Sequence, residues 1–270
     1  MEFEFKQTQT DDVSLQSYAS LLSTVFPSTT KYTFKFLKWQ YLSNPCGKVV
    51  GFDAFYNGQL IAHYVTLPVL YSINNITYKG LLSLNTATDT NFQGKGLFTQ
   101  LANKTYELGA QLGYQFVIGV ANQNSTHGFI KKLGFQLIAP LDAYLYFTDN
   151  SIFQIDANMF TSIIDKNTLE WRIKNPSNHY LQSGFTYSNT DQSFISACLS
   201  KRFRTNSINS KALIKMVIGL NNTPKTFFNF KVPDKLKPSP LNLIFKPLKD
   251  FNIELNTNNI YFELIDFDAY

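Results

Sequence analysis

The sequence predicts a mixed α/β protein, in which a mixed sheet with flanking helices is followed by a second, smaller mixed-sheet domain. Three observations support this. An apolar strand, a glycine-rich turn, an amphipathic helix and a second apolar strand follow one another between residues 81 and 120. The hairpin dipeptide Asn57-Gly58 separates two strand-like runs before this unit. The chain has 270 residues, 44% of them hydrophobic and 16% aromatic, which suffices for one large core or two small ones.

The elements before the glycine turn follow from apolar spacing and from turn residues. Apolar residues at helical intervals predict two helices, the first capped by Asp11 or Asp12 and the second carrying Trp39. The predicted elements, in order, are a strand over 1–7, helices over 11–26 and 34–42, strands over 49–56 and 59–67, and a hairpin turn at 74–75.

The glycine turn within residues 91–101 is the most informative segment. Gly94 and Gly96 lack a Cβ, so the backbone can turn tightly and approach an anion, and the N–H groups of the next helical turn are unpaired. A short turn between a strand and a helix often needs glycine for shape alone. Here a strand over 81–86 precedes the turn and a helix over 97–112 follows it, which favours a phosphate-binding turn.

Composition limits the compartment and the partners. No basic segment followed by an apolar run begins the chain, and no stretch approaches the length of a bilayer, so we expect a cytoplasmic protein without membrane insertion. Cys46 and Cys198 lack neighbouring ligands at metal spacing, so we expect free thiols and no metal. The net charge of +5 suits an anionic ligand, but the lysines are scattered, which argues against nucleic acid.

The order of elements from the strand over 81–86 to Phe135 resembles the GNAT superfamily of acyl-CoA-dependent N-acyltransferases. The resemblance covers about the first half of the chain. The family's turn signature is Gln or Arg, two residues, Gly, one residue, and Gly or Ala, and residues 93–98 read Gln-Gly-Lys-Gly-Leu-Phe. Phe98 replaces the final small residue. After the strand over 116–120, the polar loop that starts at Asn122 and the Lys-Lys-Leu-Gly-Phe run that ends at Phe135 resemble the family's second coenzyme segment.

This resemblance implies a GNAT-like mixed sheet and a coenzyme site. The backbone amides of residues 94–98 would hold the pyrophosphate of coenzyme A, and Asn122 and Asn124 would face the pantetheine arm. The implied coenzyme-binding residues are Thr86, Ala87, Thr88, Gln93, Gly94, Lys95, Gly96, Leu97, Phe98, Asn122, Asn124, Phe129 and Lys132.

The catalytic residues are less determined. The resemblance implies that two strands splay apart and expose backbone N–H groups that polarise the acyl carbonyl, and residues 85–88, beginning with Asn85, occupy that position. The family's tyrosine acid cannot be carried over, because its place holds Ile130. The candidate bases are His127, with a solvated loop histidine as the alternative, and Asp89, with a turn or capping residue as the alternative. His63, on a strand, is expected in the core or lining a pocket.

The chain's acidic end is a third catalytic candidate. Asp266 and Asp268 follow the last predicted strand and precede the terminal carboxylate, and they would reach the site if the second half folds over the first. A solvated end is the alternative. We place Asp266 among the catalytic candidates and Asp268 among the acceptor-binding ones.

The second half lacks a glycine turn and is expected to hold the acceptor. The run Leu37-Lys-Trp39 followed by Asn44-Pro45 recurs as Leu169-Glu-Trp171 followed by Asn175-Pro176. Either chance or a degenerate GNAT-like repeat explains this echo. We therefore expect an acyl-CoA-binding domain over 1–148 and an acceptor-binding domain over 149–270. Strands are predicted over 181–188, 193–203, 213–220, 241–245 and 260–267, the first two as a hairpin.

The arginines suggest the acceptor. All three, Arg172, Arg202 and Arg204, lie in the second half, where planar bidentate donors would suit a phosphate group, with coding bias as the alternative. The chain looks closest to two-part bacterial GNAT proteins, among them those that acylate nucleotide-linked amino sugars for surface polysaccharides. We therefore expect an anionic dTDP- or UDP-linked amino deoxysugar. The alternatives are an aminoglycoside, a polyamine or a protein lysine, or a non-catalytic acyl-CoA-binding protein; the oligomeric state stays open.

Overall fold

The structure is a computed structural model that describes residues 1–147, 154–178, 180–183, 186–188, 195–202, 214–223, 228–237 and 239–267. The first half alternates helices and strands as the sequence predicts. Its elements are β1 (Glu4–Gln7), α1 (Asp12–Val25), α2 (Phe34–Leu42), β2 (Val50–Tyr56), β3 (Gln59–Ile73), β4 (Ile76–Thr88), a 3-10 turn (Thr90–Phe92), α3 (Leu97–Gln111), β5 (Phe116–Ala121), α4 (Gln123–His127), a π-helical turn (Gly128–Lys132) and β6 (Gln136–Pro140).

The second half contains mostly short strands. Its elements are β7 (Asp142–Phe147), β8 (Thr161–Ser162), α5 (Lys166–Ile173), β9 (Leu181–Ser183), β10 (Thr186–Ser188), β11 (Ile195–Ala197), β12 (Ile214–Leu220), β13 (Asn229–Lys231), a 3-10 turn (Asp234–Leu236), β14 (Asn242–Pro247), β15 (Phe262–Glu263) and a 3-10 turn (Leu264–Asp266).

The first sheet runs β1-β2-β3-β4-β5-β14-β6, and β8 also pairs with β3. Its pairs are antiparallel except β4 with β5, which are parallel and are connected through α3. This mixed sheet with flanking helices confirms the predicted fold class. Strand β14, from residues 242–247, lies between β5 and β6 and pairs with both. The first sheet therefore takes a strand from beyond residue 148, and the predicted domain boundary there stays a prediction.

The second sheet runs β11-β12-β7-β13, with β15 also paired to β12. Two strand predictions need correction. The strand expected over 181–188 is instead two short antiparallel strands, β9 and β10. The strand expected over 193–203 is described as a strand only in β11, which pairs in parallel with β12. The hairpin turn expected at 189–192 lies outside the described residues.

The two faces of the first sheet bury two hydrophobic clusters. Helices α1 and α2 pack on one face, called here the α2 face, around residues such as Leu22, Leu37 and Leu82. Helix α3 packs on the other, called here the α3 face, where Leu101 and Val117 are buried. Asp11 caps α1 by accepting from two backbone N–H groups, as expected. Val13, expected on the apolar face of α1, is 78% exposed, so that face starts at Leu15.

The two tryptophans join α2 to α5. Trp39 and Trp171 stack with ring centroids 4.8 Å apart, and both are buried, as expected of core residues. Each indole N–H donates to the other residue's carbonyl oxygen, at 2.9 and 3.2 Å. After both helices an asparagine accepts from the backbone N–H two residues on, Asn44 from Cys46 and Asn175 from Ser177. Such reciprocal contacts suit two copies of one motif, and the repeat itself stays a prediction.

Candidate functional site

The parallel strands β4 and β5 separate toward their carboxyl ends. Their pairing stops at Ser83 and Gly119. Beyond this point β4 stays paired with β3 up to Thr88, while β5 stays paired with β14 up to Ala121. A Cβ at Gly119 would lie 3.1 Å from the Cβ of Ser83, so glycine suits this close approach. The strands thus leave a cleft between residues 84–88 and 120–121, which is called here the splayed cleft.

The glycine turn lies at the amino end of α3. Gly94 and Gly96 have φ angles of +76° and +74°, which favour glycine. A Cβ at Gly94 would meet nothing within 4 Å, and one at Gly96 would meet only the Gln100 side chain, at 3.8 Å. Gly96 is the N-cap of α3, and no side chain caps the helix. The first-turn amides are therefore available to an anion, beside the exposed residues Gln93 and Lys95.

The second predicted coenzyme segment forms α4 and the π-helical turn. Asn122 accepts from the backbone N–H groups of Asn124 and Ser125, each at 3.0 Å. Its side-chain oxygen is therefore used as a helix cap. Asn124 and Lys132 are exposed.

Two aromatic residues of the predicted coenzyme set pack together. Phe129 is buried, with its ring centroid 5.2 Å from that of Phe98 and 5.1 Å from that of Phe135. A Cβ at Gly128 would lie 3.1 Å from the Phe98 ring. Phe98, found where the GNAT turn signature has a small residue, therefore packs α3 against the π-helical turn. Leu97 is also buried, so Leu97, Phe98 and Phe129 belong to the hydrophobic cluster on the α3 face.

Strand β4 carries a bulge at the splayed cleft. Leu84 pairs with Val65 and Ala87 pairs with His63, so Asn85 and Thr86 together lie opposite one residue of β3. Asn85 has a φ angle of +42°, a conformation that asparagine tolerates better than most residues. A bulge disturbs the regular ladder and leaves backbone groups without strand partners. The predicted carbonyl-binding segment 85–88 thus has irregular backbone at the cleft.

A chain of buried polar side chains starts at this bulge, on the α2 face. The Nδ2 atom of Asn85 lies 2.6 Å from Gln40 Oε1 and 3.0 Å from the Tyr41 hydroxyl. The Tyr41 hydroxyl lies 2.8 Å from His63 Nε2, and His63 Nδ1 lies 2.6 Å from Asp53 Oδ1. We call these five residues the Asn85 network. Asp53, His63 and Tyr41 are each at most 1% exposed, and Asn85 is partly exposed.

The carboxylate of Asp53 is surrounded by donors. Besides His63, it accepts from the hydroxyls of Thr8, at 3.1 Å, and Tyr18, at 2.7 Å. Burial, followed by the charge of Asp53, raises the pKa of Tyr18, so this hydroxyl stays a donor at neutral pH. Burial also raises the pKa of Tyr41 well above its usual range. His63 therefore lies in the core, as predicted, but it belongs to a polar network that reaches the cleft.

The predicted catalytic bases occupy different places. Asp89 accepts from the backbone N–H of Asn91, at 2.9 Å, and caps the 3-10 turn before the glycine turn. His127 is exposed in the last turn of α4. Neither residue belongs to the Asn85 network. On the α3 face, the Tyr64 hydroxyl lies 2.8 Å from Ser83 Oγ at the splay point, and burial raises its pKa to about 12.

Asp266, also a predicted catalytic residue, lies in a closed ion-pair cluster. Its carboxylate accepts from Ser162 Oγ, from Arg202 at 2.7 Å and from the Glu263 backbone N–H at 2.7 Å. Glu263 binds the same guanidinium and accepts from the hydroxyls of Ser200 and Tyr261. We call these residues the Arg202 cluster. Asp266 is 3% exposed and its carboxylate is engaged by these internal donors, which departs from the expectation that it is a catalytic residue reaching the site.

The arginine predictions change accordingly. The Arg202 guanidinium donates to Glu263, Asp266 and the carbonyl oxygen of Ser162, and its side chain is 9% exposed. It is therefore engaged internally, which departs from the expectation that it binds the acceptor's pyrophosphate. Arg172 is 4% exposed, and its guanidinium lies 4.6 Å from the centre of the Trp171 ring. Burial likewise argues against acceptor binding by Arg172. Arg204 and Asp268 lie outside the described residues.

The described part of the chain was searched for metal-ligand clusters and for helices that could span a membrane. Within it, no three His, Cys, Asp or Glu side chains converge as metal ligands would. No helix found there has both the length and the apolar character that crossing a membrane requires.

Comparison with known proteins finds a family match in the first half of the chain. Residues 5–138 match the family model described as an acetyltransferase (GNAT) domain. No curated protein matches the chain. Of the solved structures, a conserved protein of unknown function from Enterococcus faecalis V583, described as a "probable N-acyltransferase", is similar with a TM-score of 0.66 and 10% identity, over 92% of this chain and 73% of its own.

Two further structures share the fold over nearly the whole chain. A GCN5-related N-acetyltransferase from Kribbella flavida has a TM-score of 0.62 and 7% identity, over 91% of this chain and 72% of its own. A GCN5-related N-acetyltransferase from Anabaena variabilis ATCC 29413 has a TM-score of 0.59 and 11% identity, over 91% of this chain and 73% of its own. At these identities the likeness shows the fold, and it extends through the second half.

Proposed function

Because residues 5–138 match the model of an acetyltransferase (GNAT) domain, we propose that this protein transfers an acyl group from acyl-CoA to an amine. The observation that carries the proposal is the geometry of the splayed cleft. The strands separate beyond Ser83 and Gly119, and the uncapped amino end of α3 lies beside them. An elongated ligand with a phosphate group at one end and an acyl group further along suits such a cleft.

The residues around the glycine turn fit coenzyme A. Its pyrophosphate would lie on the first-turn amides of α3, which the positive φ angles of Gly94 and Gly96 place at an open surface. Lys95 in the turn, and Lys131 and Lys132 in the π-helical turn, are exposed and would add favourable charge for the phosphates. The pantetheine arm would extend between the strands.

The bound thioester would supply an acyl carbon for attack by the amine nitrogen. A C–N bond forms, the C–S bond breaks, and one proton of the amine balances the thiolate that leaves. The chain's own part is orientation and polarisation of the carbonyl. Backbone N–H groups of the bulged segment around Asn85 and Thr86 are the donors that we assign to the carbonyl oxygen. His127 and Asp89 remain candidate bases.

The acceptor that we propose to test first is a nucleotide-linked amino deoxysugar, held by the second half of the chain. The net charge of +5 supports an anionic acceptor. Arg202 and Arg172 lend no support, since the guanidinium of Arg202 is bound to Glu263 and Asp266 and Arg172 is buried. An aminoglycoside, a polyamine or a protein lysine therefore belongs in the same panel of acceptors.

The decisive experiment measures free-thiol release from several acyl-CoAs, with dTDP- and UDP-linked amino sugars, aminoglycosides, polyamines and a lysine peptide as acceptors. Turnover with an amine would support the proposal and identify the acceptor class. Binding of acyl-CoA without turnover of any amine would contradict it and favour a non-catalytic acyl-CoA-binding protein.

The coenzyme site can be tested separately by calorimetric titration of acyl-CoA into the Gly96→Val variant. Valine at a φ angle of +74° would distort the turn and block the approach of the phosphate, so we expect at least about a tenfold loss of affinity. The matched control is Gly58→Val in the β2–β3 hairpin, since Gly58 has a φ angle of +76° and nothing within 4 Å of its added Cβ. Equal affinity in both variants would contradict the assigned phosphate site.

A further inference from the structure

The orientation of the Asn85 side chain is determined by its partners. Its amide nitrogen has two hydrogens, and two oxygen atoms lie in position to accept them, Gln40 Oε1 and the Tyr41 hydroxyl. If the Tyr41 hydroxyl gives its hydrogen to His63, its oxygen needs a donor, so the Asn85 atom that faces it is the amide nitrogen, and Gln40 Oε1 accepts the second hydrogen. Asn85 Oδ1 is therefore the free end, and no hydrogen bond to it occurs within the described residues. Asn85 is partly exposed in the splayed part of β4.

The direction of the hydrogen bonds follows from Asp53. An ionised carboxylate only accepts, so the proton of His63 lies on Nδ1, which faces Asp53 Oδ1. In a neutral imidazole, Nε2 is then the acceptor, and the Tyr41 hydroxyl donates to it. The Tyr41 oxygen in turn accepts from Asn85. The hydrogen bonds from Asn85 through Tyr41 and His63 thus all point toward the carboxylate of Asp53, while the second amide hydrogen of Asn85 is donated to Gln40.

We propose that Asn85 Oδ1 accepts a hydrogen bond from the attacking amine, and that Gln40, Tyr41, His63 and Asp53 are positioning residues that hold it there. This inference rests on the proposed acyl transfer. A network that only stabilised the core would not need to end at an accessible acceptor on a bulge beside the cleft. Aligned donors polarise one another, which strengthens the arrangement as a unit.

The chemistry of the attack explains the use of a carbonyl acceptor. Only the neutral amine attacks, and a hydrogen bond from one of its N–H groups to Asn85 Oδ1 would direct the nitrogen lone pair toward the thioester carbon. As the C–N bond forms, the nitrogen becomes positive and its N–H a stronger donor, so the contact strengthens in the transition state. The amide cannot take up the proton, which passes through water to the departing thiolate.

The main test compares kcat and KM for the amine in wild type, Asn85→Gly and Asn75→Gly. Glycine keeps the positive φ of position 85 and removes only the side chain. Hydrogen bonds to a charged group are worth enough that we expect a loss of about tenfold to a hundredfold in kcat/KM for the amine. The Kd for acyl-CoA should stay unchanged. Asn75→Gly, at a φ of +61° in the exposed β3–β4 turn, is the matched control and should keep the wild-type constants.

The positioning role is tested by Tyr41→Phe, which removes the hydroxyl between Asn85 and His63 and keeps the ring. Asn85 retains Gln40, so we expect a smaller loss, about threefold to tenfold in kcat/KM for the amine, with unchanged acyl-CoA affinity. Lower stability together with wild-type kinetic constants for the amine would show a purely structural role and would overturn this assignment.

A spectroscopic readout tests the network without activity. In a variant with His127→Gln and His179→Gln, the remaining histidine, His63, is expected to give the nitrogen NMR signals of a ring that carries its hydrogen on Nδ1 and accepts a hydrogen bond at Nε2. A ring protonated at Nε2 would overturn the direction of the chain.

The kinetic outcomes separate this inference from the proposed function. Wild-type protein that turns over no amine overturns both. Turnover that Asn85→Gly leaves intact overturns only the inference.

Discussion

The Arg202 cluster and the Asn85 network both supply hydrogen-bond donors to buried carboxylates, but they differ in where their hydrogen bonds end. In the Arg202 cluster, the carboxylates of Glu263 and Asp266 share one guanidinium and accept further hydrogen bonds from hydroxyls and backbone N–H groups. In the Asn85 network, the carboxylate of Asp53 accepts from Thr8, Tyr18 and His63, and the chain of hydrogen bonds runs outward to a partly exposed amide. The first network is closed, and the second ends at the cleft.

This difference separates structural polarity from functional polarity. A buried carboxylate needs donors in either case, so burial and hydrogen bonding alone do not identify a site. What distinguishes the Asn85 network is an unsatisfied acceptor at its accessible end, on the irregular backbone of Asn85. The Arg202 cluster has a salt bridge of full charges, and breaking it should affect folding far more than catalysis.

The largest effect is expected for Arg202→Met, which removes the cation from between two buried carboxylates. Breaking a buried ion pair on one side leaves an uncompensated charge, so we expect a loss of about 3–5 kcal/mol in the free energy of unfolding. Urea denaturation followed by circular dichroism measures it. The matched control is Lys231→Met, which breaks the exposed Lys231–Asp142 salt bridge and should cost less than about 1 kcal/mol.

The Arg202→Met variant would also test the expectation that Arg202 binds a phosphate group of the acceptor. If the variant were as stable as wild type and its KM for a nucleotide-linked acceptor rose, Arg202 would bind substrate after all. The Arg202 cluster would then be part of a substrate site and not a closed structural network.

For Asp53→Asn we expect a smaller loss of stability than for Arg202→Met, together with a loss of activity. The substitution keeps the shape of the side chain but replaces one acceptor oxygen with a donor, facing either Tyr18 or His63. Hydrogen bonds to charged groups are lost, so we expect about 2 kcal/mol less stability. Because His63 loses its anionic partner, kcat/KM for the amine should also fall. Stability and steady-state kinetics measured on one preparation test both, and a stability loss without any kinetic change would contradict the open network.

The first half shows how far local sequence patterns reach. Helix α2 spans Phe34–Leu42 as predicted from its aromatic spacing, and the hairpin turns at Asn57-Gly58 and Asn74-Asn75 lie where expected, with positive φ angles. Glycine, asparagine and apolar periodicity act within a few residues, so they are readable directly. The second half has short strands paired over long separations, such as β14 with β5, and no local pattern specifies such pairing.

The Asn85 network shows why part of the site escaped prediction. A regular hairpin at Asn57-Gly58 would place Asp53 opposite Ala62. In the structure, the register of β2 and β3 shifts by one residue between Phe55 and Ala54, so Asp53 lies opposite His63. The bulge at Asn85 likewise depends on the register of β3 and β4. Asn85 itself was singled out only through its position in a resembling motif. No local sequence pattern pointed to Asp53, Tyr41 or Gln40. The pairing of Asp53 with His63 could have been found by testing the β2–β3 hairpin in the shifted register as well as the regular one.

The smallest effect among these substitutions is expected for Tyr18→Phe. Tyr18 donates to Asp53 Oδ2, yet it is not on the path from Asp53 through His63 and Tyr41 to Asn85. Phenylalanine would keep the ring stacked on His63, with 4.2 Å between centroids, and would remove two hydrogen bonds, the one donated to Asp53 and the one accepted from the Gln9 N–H. We therefore expect about 1.5 kcal/mol less stability. The kinetic constants for the amine should not change, because Asp53 Oδ1 still accepts from His63. If kcat/KM fell as far as in Tyr41→Phe, catalysis would follow the general stability of the buried cluster and not the hydrogen-bonded path, and the distinction between the two networks would have to be abandoned.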